Sequence, residues 1–112
     1  MKVGIVGHGF VGKALENGID NSVSILNIDP KLKTSIKDLV PFQPDIVFIC
    51  VPTPLCEELS LDASIVHLVI DEILEHNIDS LIVLKSTILP NHLDEISKKV
   101  KKFIYNPEFL RE

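Results

Sequence analysis

Short apolar runs alternate with amphipathic segments along this chain. The apolar runs cover 3–6, 23–28, 45–51, 80–85 and 103–105. The segments with helical periodicity cover 10–17, 62–77 and 91–101. Five strands that alternate with helices predict an α/β fold built on a parallel sheet. The runs at 46–51 and 81–84 are apolar at nearly every position, which is typical of central strands covered on both faces.

The ends of the predicted helices carry recognisable signals. Gly18 is expected to end the first helix, Asp62 to cap the second and Asn91 to cap the last. The second helix has a predicted buried stripe formed by Ile65, Val66, Val69, Ile70 and Ile73.

A glycine-rich hexapeptide lies between the first apolar run and the first predicted helix. Gly7 permits a tight strand-to-helix turn, Gly9 leaves room for a pyrophosphate, and Gly12 lets the helix pack close to its strand. Phe10 and Val11 complete the motif, and the unpaired N–H groups at the helix start would face the phosphates. The spacing predicts a dinucleotide-binding turn, and an ordinary glycine-rich turn is the alternative.

Composition and charge narrow the class of protein. The 112 residues, 46% hydrophobic and 24% charged, fit one globular domain. A net charge of −5 argues against a nucleic acid or an acidic membrane as the main partner. No apolar run reaches the roughly 18 residues that a membrane span needs, and no signal-peptide pattern is present. The lysines at 98, 99, 101 and 102 are expected to fall in the last turn of the last helix.

Cysteine and histidine usage indicates neither a disulfide nor a metal site. Cys50 and Cys56 have neither a metal-ligand nor a CxxC spacing, which predicts a reducing compartment, the cytoplasm. His67, His76 and His92 form no metal-ligand spacing with a carboxylate, so no metal is expected.

Four motifs together resemble one enzyme family. They are the hexapeptide at 7–12, Val51-Pro52-Thr53-Pro54, Lys85-Ser86-Thr87 and the segment 105–112. In this order they are similar to the N-terminal NAD-binding domain of the UDP-glucose and GDP-mannose dehydrogenases. The resemblance implies a Rossmann-like sheet of five parallel strands in the order 2-1-3-4-5. The four motif loops would then surround one crevice at the carboxyl ends of the strands.

The connection between the second and third strands is shorter than the one usual in this family, which holds a helix, a strand and another helix. Here only 34–40 can form a short helix, which Pro41 and Pro44 are expected to end. The sheet is therefore expected to be trimmed between its second and third strands, with an outer edge strand and one helix lost.

The resemblance also implies an activity. Enzymes of this kind oxidise the C6 alcohol of a nucleotide sugar to a carboxylate in two steps, with two NAD⁺ accepting the two hydrides. The resemblance places the pyrophosphate on the hexapeptide and the nicotinamide-side ribose at Thr53. Thr87, which is also assigned to the cofactor, and Glu108 would position a water near C6, and Glu112 would lie beside the nicotinamide and the substrate.

The ribose-binding acid of the family pattern is displaced in this sequence. Its position aligns with Asn27, and Asp29 follows two residues later, on the same face if the strand continues. Both residues are therefore candidate ligands of the adenosine ribose. Lys31 and Lys33 lie nearby and leave NADP⁺ open beside NAD⁺ as the cofactor.

In the family, a second domain supplies the catalytic thiol and most of the sugar-nucleotide pocket, and this sequence contains neither. Cys50 is expected in the core, and Cys56 is flanked by Glu57 and Glu58, which disfavour a thiolate. The chain is therefore expected to bind NAD, and a UDP-sugar only together with a second domain. The alternative is a free-standing, non-catalytic dinucleotide-binding or assembly module that pairs with a homologue or with itself as a homodimer. A hydroxyacid-type Rossmann dehydrogenase is a weaker third possibility, against which the motif at 106–112 argues.

Overall fold

Five parallel strands form a single sheet in the computed structural model, which describes residues 1–53 and 63–107, without the side chain of Phe10. The strands are β1 (Lys2–Val6), β2 (Ser24–Ile28), β3 (Ile46–Ile49), β4 (Leu81–Leu84) and β5 (Phe103–Tyr105). Their order in the sheet is β2-β1-β3-β4-β5, and every neighbouring pair is parallel. The predicted α/β architecture and the strand order 2-1-3-4-5 are confirmed.

The register of the sheet aligns the carboxyl ends of all five strands. Val6 lies between Ile28 and Ile49, and Leu84 lies between Ile49 and Tyr105. These five residues are also the last residues of their strands. The loops that follow the strands therefore leave the sheet at one edge, which is where parallel α/β sheets bind their ligands.

The helices cover both faces of this sheet. They are α1 (Phe10–Gly18), α2 (Leu39–Phe42), α3 (Ser64–Glu75) and α4 (Pro90–Lys99). On one face Val11 and Leu15 of α1 pack with the strand residues Val3 and Ile5. On the other face α3 and α4 pack against the strand residues that alternate with those facing α1. The alternation arises because successive side chains of a strand point to opposite faces of the sheet. The core on that second face includes the fully buried residues Leu39, Val47, Ile49, Val66, Ile70, Leu84 and Ile96.

The connection from β2 to β3 is short and contains no strand, as expected for a trimmed sheet. It consists of 3₁₀ turns at Pro30–Leu32 and Ile36–Asp38, and the second turn leads directly into α2. The short helix expected over 34–40 is instead a 3₁₀ turn followed by α2, and the prediction that Pro41 ends it is wrong. Pro41 is the third residue of α2, and the first turn of a helix tolerates proline because its N–H groups have no helical acceptor. The helix ends instead at Phe42, and Gln43, the residue that caps it, has a left-handed φ of 52°.

Two further predictions about helix ends are corrected. Asn91 does not cap α4, which begins one residue earlier at Pro90 with Leu89 in the capping position. Proline is well suited to the first position of a helix, because it has no N–H to leave unpaired. Only Lys98 and Lys99 lie in the last turn of α4, so the lysines at 101 and 102 fall beyond the helix. The predicted cap Asp62 lies outside the described residues, and α3 begins at Ser64.

No helix in the described part of the chain combines the length and the apolar character that a membrane crossing requires.

Candidate functional site

A cleft of about 720 Å³ opens at the carboxyl edge of the sheet. Its walls come from the loops after β1, β2, β3 and β4 and from one side of α3. The predicted site residues that line it are Gly7, Gly9, Val11, Asp29, Thr53 and Thr87. Residues that are far apart in the sequence thus meet at one place, because the register of the sheet brings the strand ends together.

The three glycines of the hexapeptide face different surroundings. Gly7 has a left-handed φ of 95°, and a Cβ there would lie 2.9 Å from the carbonyl carbon of Cys50. A Cβ on Gly12 would lie 2.2 Å from the carbonyl oxygen of Gly7. A Cβ on Gly9 would meet nothing within 4 Å, although Gly9 lines the cleft. The fold therefore requires glycine at 7 and 12, whereas at Gly9 it keeps a space open beside the cleft.

The amino end of α1 points at this cleft. Gly9 is the capping residue, and its carbonyl accepts the N–H of Lys13 at 2.9 Å. The first N–H groups of a helix lack acceptors within the helix, and the helix dipole places a partial positive charge there. The first turn of α1 carries no acidic side chain that could occupy this position. This arrangement suits an anionic group such as a pyrophosphate.

Asp29 follows β2 and ties the end of that strand to the glycine turn. Its carboxylate accepts the backbone N–H of His8 at 2.8 Å and that of Lys31 at 2.9 Å. The N–H of Lys31 chiefly, and that of His8 in addition, lower the pKa of Asp29 below its ordinary value, although desolvation acts in the opposite direction. Asp29 is therefore ionised at neutral pH. A carboxylate has about four acceptor positions, so it can still accept hydrogen bonds from ribose hydroxyls.

Asn27, the other candidate for the ribose, is held away from the cleft. Its amide nitrogen donates a hydrogen bond to the carboxylate of Glu16 on α1, and it is absent from the residues that line the cleft. Its amide oxygen is buried and has no hydrogen-bond partner among the described residues. The hydrogen bond from Asn27 is the largest influence that lowers the pKa of Glu16, and one from His8 lowers it further. The structure thus places Asp29 rather than Asn27 in the wall of the cleft.

The loops after β3 and β4 are joined by a buried serine. The hydroxyl of Ser86 donates to the carbonyl oxygen of Val51 at 2.6 Å. This bond fixes the segments that carry Thr53 and Thr87, both of which line the cleft. Lys85 also lines the cleft, and only 6% of its surface is exposed.

The segment after β5 leaves the sheet at the same edge. The N–H of Asn106 donates to the carbonyl oxygen of Leu84 at 3.0 Å, and the Tyr105 hydroxyl accepts the N–H of Ile88 at 3.1 Å. Glu108 and Glu112 lie outside the described residues, as does Cys56. Cys50 is buried, in agreement with its predicted place in the core.

The sequence did not predict the part of the cleft wall that α3 provides. Ile65, Val69 and Glu72 line the cleft from this helix, at the helical spacing i, i+4 and i+7. Ile65 was expected in the buried stripe, but 38% of its surface is exposed. This correction has a geometric reason, since Ile65 lies at the margin of the stripe, on the side of the helix that faces the cleft. The spacing of the three residues is the only sequence signal that could have identified them.

The fold and the site define a class of protein. A parallel sheet in this order, a glycine turn before a helix amino end, and an acid after the second strand are the features of a Rossmann-like dinucleotide-binding domain. The residues present fit such a cofactor, because Gly9 leaves open space beside the amino end of α1.

Comparison with known proteins identifies the family. Residues 13–112 match the UDP-glucose/GDP-mannose dehydrogenase family, NAD binding domain, and the chain belongs to this family. A UDP-glucose 6-dehydrogenase from Rickettsia bellii (strain RML369-C) is 47% identical over an alignment of 73 residues, which covers 59% of this chain. The matched region is 17% of that relative. Membership in the family supports a nicotinamide dinucleotide as the cofactor.

Two solved structures share the fold. One is a ternary complex of GDP-mannose dehydrogenase from Pseudomonas aeruginosa, with a TM-score of 0.69 and 23% identity. It matches 100% of this chain and 37% of that one. The other is a UDP-glucose dehydrogenase from the hyperthermophilic archaeon Pyrobaculum islandicum, with a TM-score of 0.68 and 21% identity, matching 99% of this chain and 36% of that one. The chain therefore spans little more than a third of the length of these proteins.

Proposed function

We propose that this chain is the NAD-binding part of a UDP-glucose 6-dehydrogenase-like enzyme, which oxidises the C6 alcohol of a nucleotide sugar to the carboxylate. The observation that carries the proposal is the convergence of the glycine turn, Asp29, Thr53 and Thr87 on one cleft at the carboxyl edge of the sheet. A cleft with polar groups contributed by several strand ends is the usual cofactor site of an open α/β sheet.

Each wall of the cleft has a role in holding the cofactor. The amino end of α1 binds the pyrophosphate beside the glycine turn, because the first N–H groups of the helix lack acceptors within it and lie at the positive end of its dipole. Asp29 accepts hydrogen bonds from the adenosine ribose, and Thr53 binds the ribose on the nicotinamide side. Ile65 and Val69 of α3 add an apolar wall to the same cleft.

NAD⁺ is the expected cofactor rather than NADP⁺. The carboxylate of Asp29 is fixed by two N–H groups and ionised at neutral pH, so it would repel a 2′-phosphate. Lys31 lines the same cleft, and its ammonium group would attract that phosphate, so the preference depends on the repulsion from Asp29 exceeding this attraction. We expect the substitution Asp29→Asn to narrow the difference between the affinities for NAD⁺ and NADP⁺, and calorimetric titration of both cofactors measures it.

The reaction would use residues of this chain beside the cofactor. When bound, the cofactor accepts the hydride that leaves C6 of the sugar, and complete oxidation to the carboxylate takes two such transfers and one water. Thr87 would hold this water by a hydrogen bond, Glu108 would accept its proton as a general base, and Glu112 would lie beside the substrate. The catalytic thiol would come from a second domain, because Cys50 is buried in the core and the acidic neighbours of Cys56 in the sequence disfavour a thiolate there.

The experiment that tests this function compares substitutions at two glycines, Gly9, which caps α1, and Gly18, the last residue of α1. We would titrate the chain with NAD⁺ and with NADP⁺ by calorimetry, and repeat both titrations with Gly9→Val and Gly18→Val. Both glycines have open space at the Cβ position, but only Gly9 lines the cleft. We expect Gly9→Val to abolish binding while the chain stays folded, with a slightly lower melting temperature because valine caps a helix less well than glycine, and Gly18→Val to bind like the wild type.

Two outcomes would contradict the proposal. Unchanged affinity in Gly9→Val would show that the glycine turn does not hold the pyrophosphate. Failure of the wild type to bind either dinucleotide would favour the alternative, a non-catalytic assembly module, which sedimentation analysis would then test as a possible homodimer. A further titration with UDP-glucose beside NAD⁺ would show whether this chain alone contributes to sugar-nucleotide binding.

A further inference from the structure

Two histidines and a glutamate meet on the surface formed by α3 and α4. Nε2 of His67 lies 2.9 Å from Nδ1 of His92 and 3.9 Å from a carboxylate oxygen of Glu95. One donor atom from each of the three residues lies within 4.8 Å of the other two. The His67 side chain is 22% exposed and that of Glu95 is 65% exposed, so solvent reaches the group from the Glu95 side. None of the three lines the cleft described above.

The fold holds these side chains in position. His67 lies in the first turn of α3 and His92 in the first turn of α4. Glu95 is three residues after His92, a spacing that places both on one face of a helix. Both helices are anchored to the sheet by fully buried residues, Val66 on α3 and Ile96 on α4. The three donor atoms are therefore brought together by the packing of the core and not by a flexible loop.

We propose that His67, His92 and Glu95 form a binding site for a transition-metal ion such as Zn²⁺. Two imidazole nitrogens and one carboxylate oxygen are a donor set that Zn²⁺ prefers, and three protein ligands leave a fourth position for water. Donor atoms held at about 2.0–2.1 Å from a tetrahedral Zn²⁺ are about 3.3–3.4 Å apart. The observed separations of 2.9 and 3.9 Å lie on either side of this value. Small side-chain rotations therefore suffice to bind the ion.

The competing interpretation is a purely protein contact. The two rings lie with their centroids 5.0 Å apart in an edge-to-face arrangement, and one ring nitrogen donates a hydrogen bond to the other. In that case a single proton joins His67 and His92. In the proposed site the metal replaces this proton and also recruits Glu95. The two interpretations differ in whether the three residues bind a metal ion at all, and in whether Glu95 contributes to its affinity.

A metal titration distinguishes them. The tag-free chain at pH 7.5 would be titrated with Zn²⁺ in competition with a chromophoric chelator, and with Co²⁺ by its visible absorption. We expect one ion per chain. His67→Gln and His92→Gln should each weaken binding by at least about tenfold, and Glu95→Gln should weaken it measurably, since each removes a direct ligand. The matched control is His76→Gln, which removes an exposed imidazole from the end of α3 and should bind like the wild type.

Two further measurements distinguish the loss of a metal ligand from the loss of the fold in these variants. Zn²⁺ should raise the melting temperature of the wild type and of His76→Gln but not of His67→Gln, because an ion that binds the folded state stabilises it. The chain has four histidines, so ring-proton NMR can follow each of them. Signals of His67 and His92 should shift with metal, and those of His8 and His76 should not.

Several results would overturn the proposal. They are the absence of stoichiometric binding in the wild type, equal affinities in the wild type and His67→Gln, and equal affinities in the wild type and Glu95→Gln. The last comparison is informative even if the histidine variants unfold, because Glu95 is exposed and its substitution by glutamine does not disturb the core.

Discussion

Adding one methyl group at Gly12 is expected to push α1 away from the sheet. In Gly12→Ala the new Cβ would start 2.2 Å from the carbonyl oxygen of Gly7, whereas real Cβ atoms keep at least 3.0 Å from other atoms. The obstacle is a backbone atom, so it cannot rotate away as a side chain would. The helix must therefore move by about 0.8 Å or more relative to the glycine turn.

The free-energy cost of this movement is partly offset by the higher helix propensity of alanine. Overpacking of a well-packed site costs about 1–3 kcal/mol, and somewhat more where the obstacle is backbone. Alanine recovers up to about 1 kcal/mol through its higher helix propensity. We expect a net loss of about 1–3 kcal/mol, which in a domain of this size lowers the melting temperature by roughly 4–12 °C. Because Gly7 and the start of α1 would separate, the affinity for NAD⁺ should fall as well.

The control is the same substitution at the other end of the same helix. Gly18 is the last residue of α1, and a Cβ there would meet nothing within 4 Å. Gly18→Ala should therefore be neutral or stabilising by up to about 1 kcal/mol. Thermal and urea unfolding of both variants measure the difference. If Gly12→Ala were as stable as Gly18→Ala, the close approach of α1 to Gly7 would be refuted.

Three other predictions concern the strands beside the site. The lowered pKa of Asp29 contributes stability above pH 3.8 that is lost as the pH falls through its lower folded-state value. The unfolding free energies of the wild type and Asp29→Asn should therefore differ most near neutral pH and converge in acid; a gap independent of pH would contradict this. Ile49→Ala, in a fully buried position of β3, should cost about 2–5 kcal/mol in urea unfolding, whereas Ile104→Ala at 48% exposure should cost under about 1 kcal/mol. Asn27→Asp would set a second carboxylate against Glu16 and should cost about 1.5–3 kcal/mol at neutral pH, and adding Glu16→Gln should recover most of that loss.

The regular elements of this fold follow directly from local sequence patterns. Every predicted apolar run became a strand, and the two runs that are apolar throughout became the neighbouring central strands β3 and β4. Such runs are informative because a parallel strand covered on both faces buries consecutive side chains, whereas a strand with one solvated face alternates apolar and polar residues. The strand order came from the family resemblance and not from the runs themselves.

Details at the margins of elements were less predictable because several local rules compete there. Asn91 is a good capping residue, but Pro90 just before it favours the first helical position, and α4 begins at Pro90. Ile65 is apolar and lies beside the stripe of α3, yet it faces the cleft. Pro41 was expected to stop a helix, but the helix began late enough for it to fall in the first turn. In each case the role of the residue depends on the position at which its helix begins and on how the helix is oriented against the sheet.

Contacts between elements were beyond the reach of sequence spacing. His67 and His92 are 25 residues apart and on different helices, so a search for metal ligands at the spacing of one helix does not pair them. Sequence spacing also does not pair Asn27 with its hydrogen-bond partner Glu16, because the two residues are 11 positions apart and lie on different elements.

The pair of Asn27 and Glu16 explains how the chain tolerates an amide where its family usually has an acid. An acid at 27 would face the carboxylate of Glu16 across a hydrogen-bonding distance, and two like charges at such close range oppose each other. The amide of Asn27 instead donates to Glu16 and lowers the pKa of that carboxyl, so negative charge is retained beside β2. The proposed ligand of the ribose is Asp29, one residue beyond the end of β2, where two backbone N–H groups hold its carboxylate in the wall of the cleft. The amide at 27 and the acids at 16 and 29 therefore form one arrangement, and in the proposed function the ribose-binding residue would lie two positions further along the chain than in the family pattern.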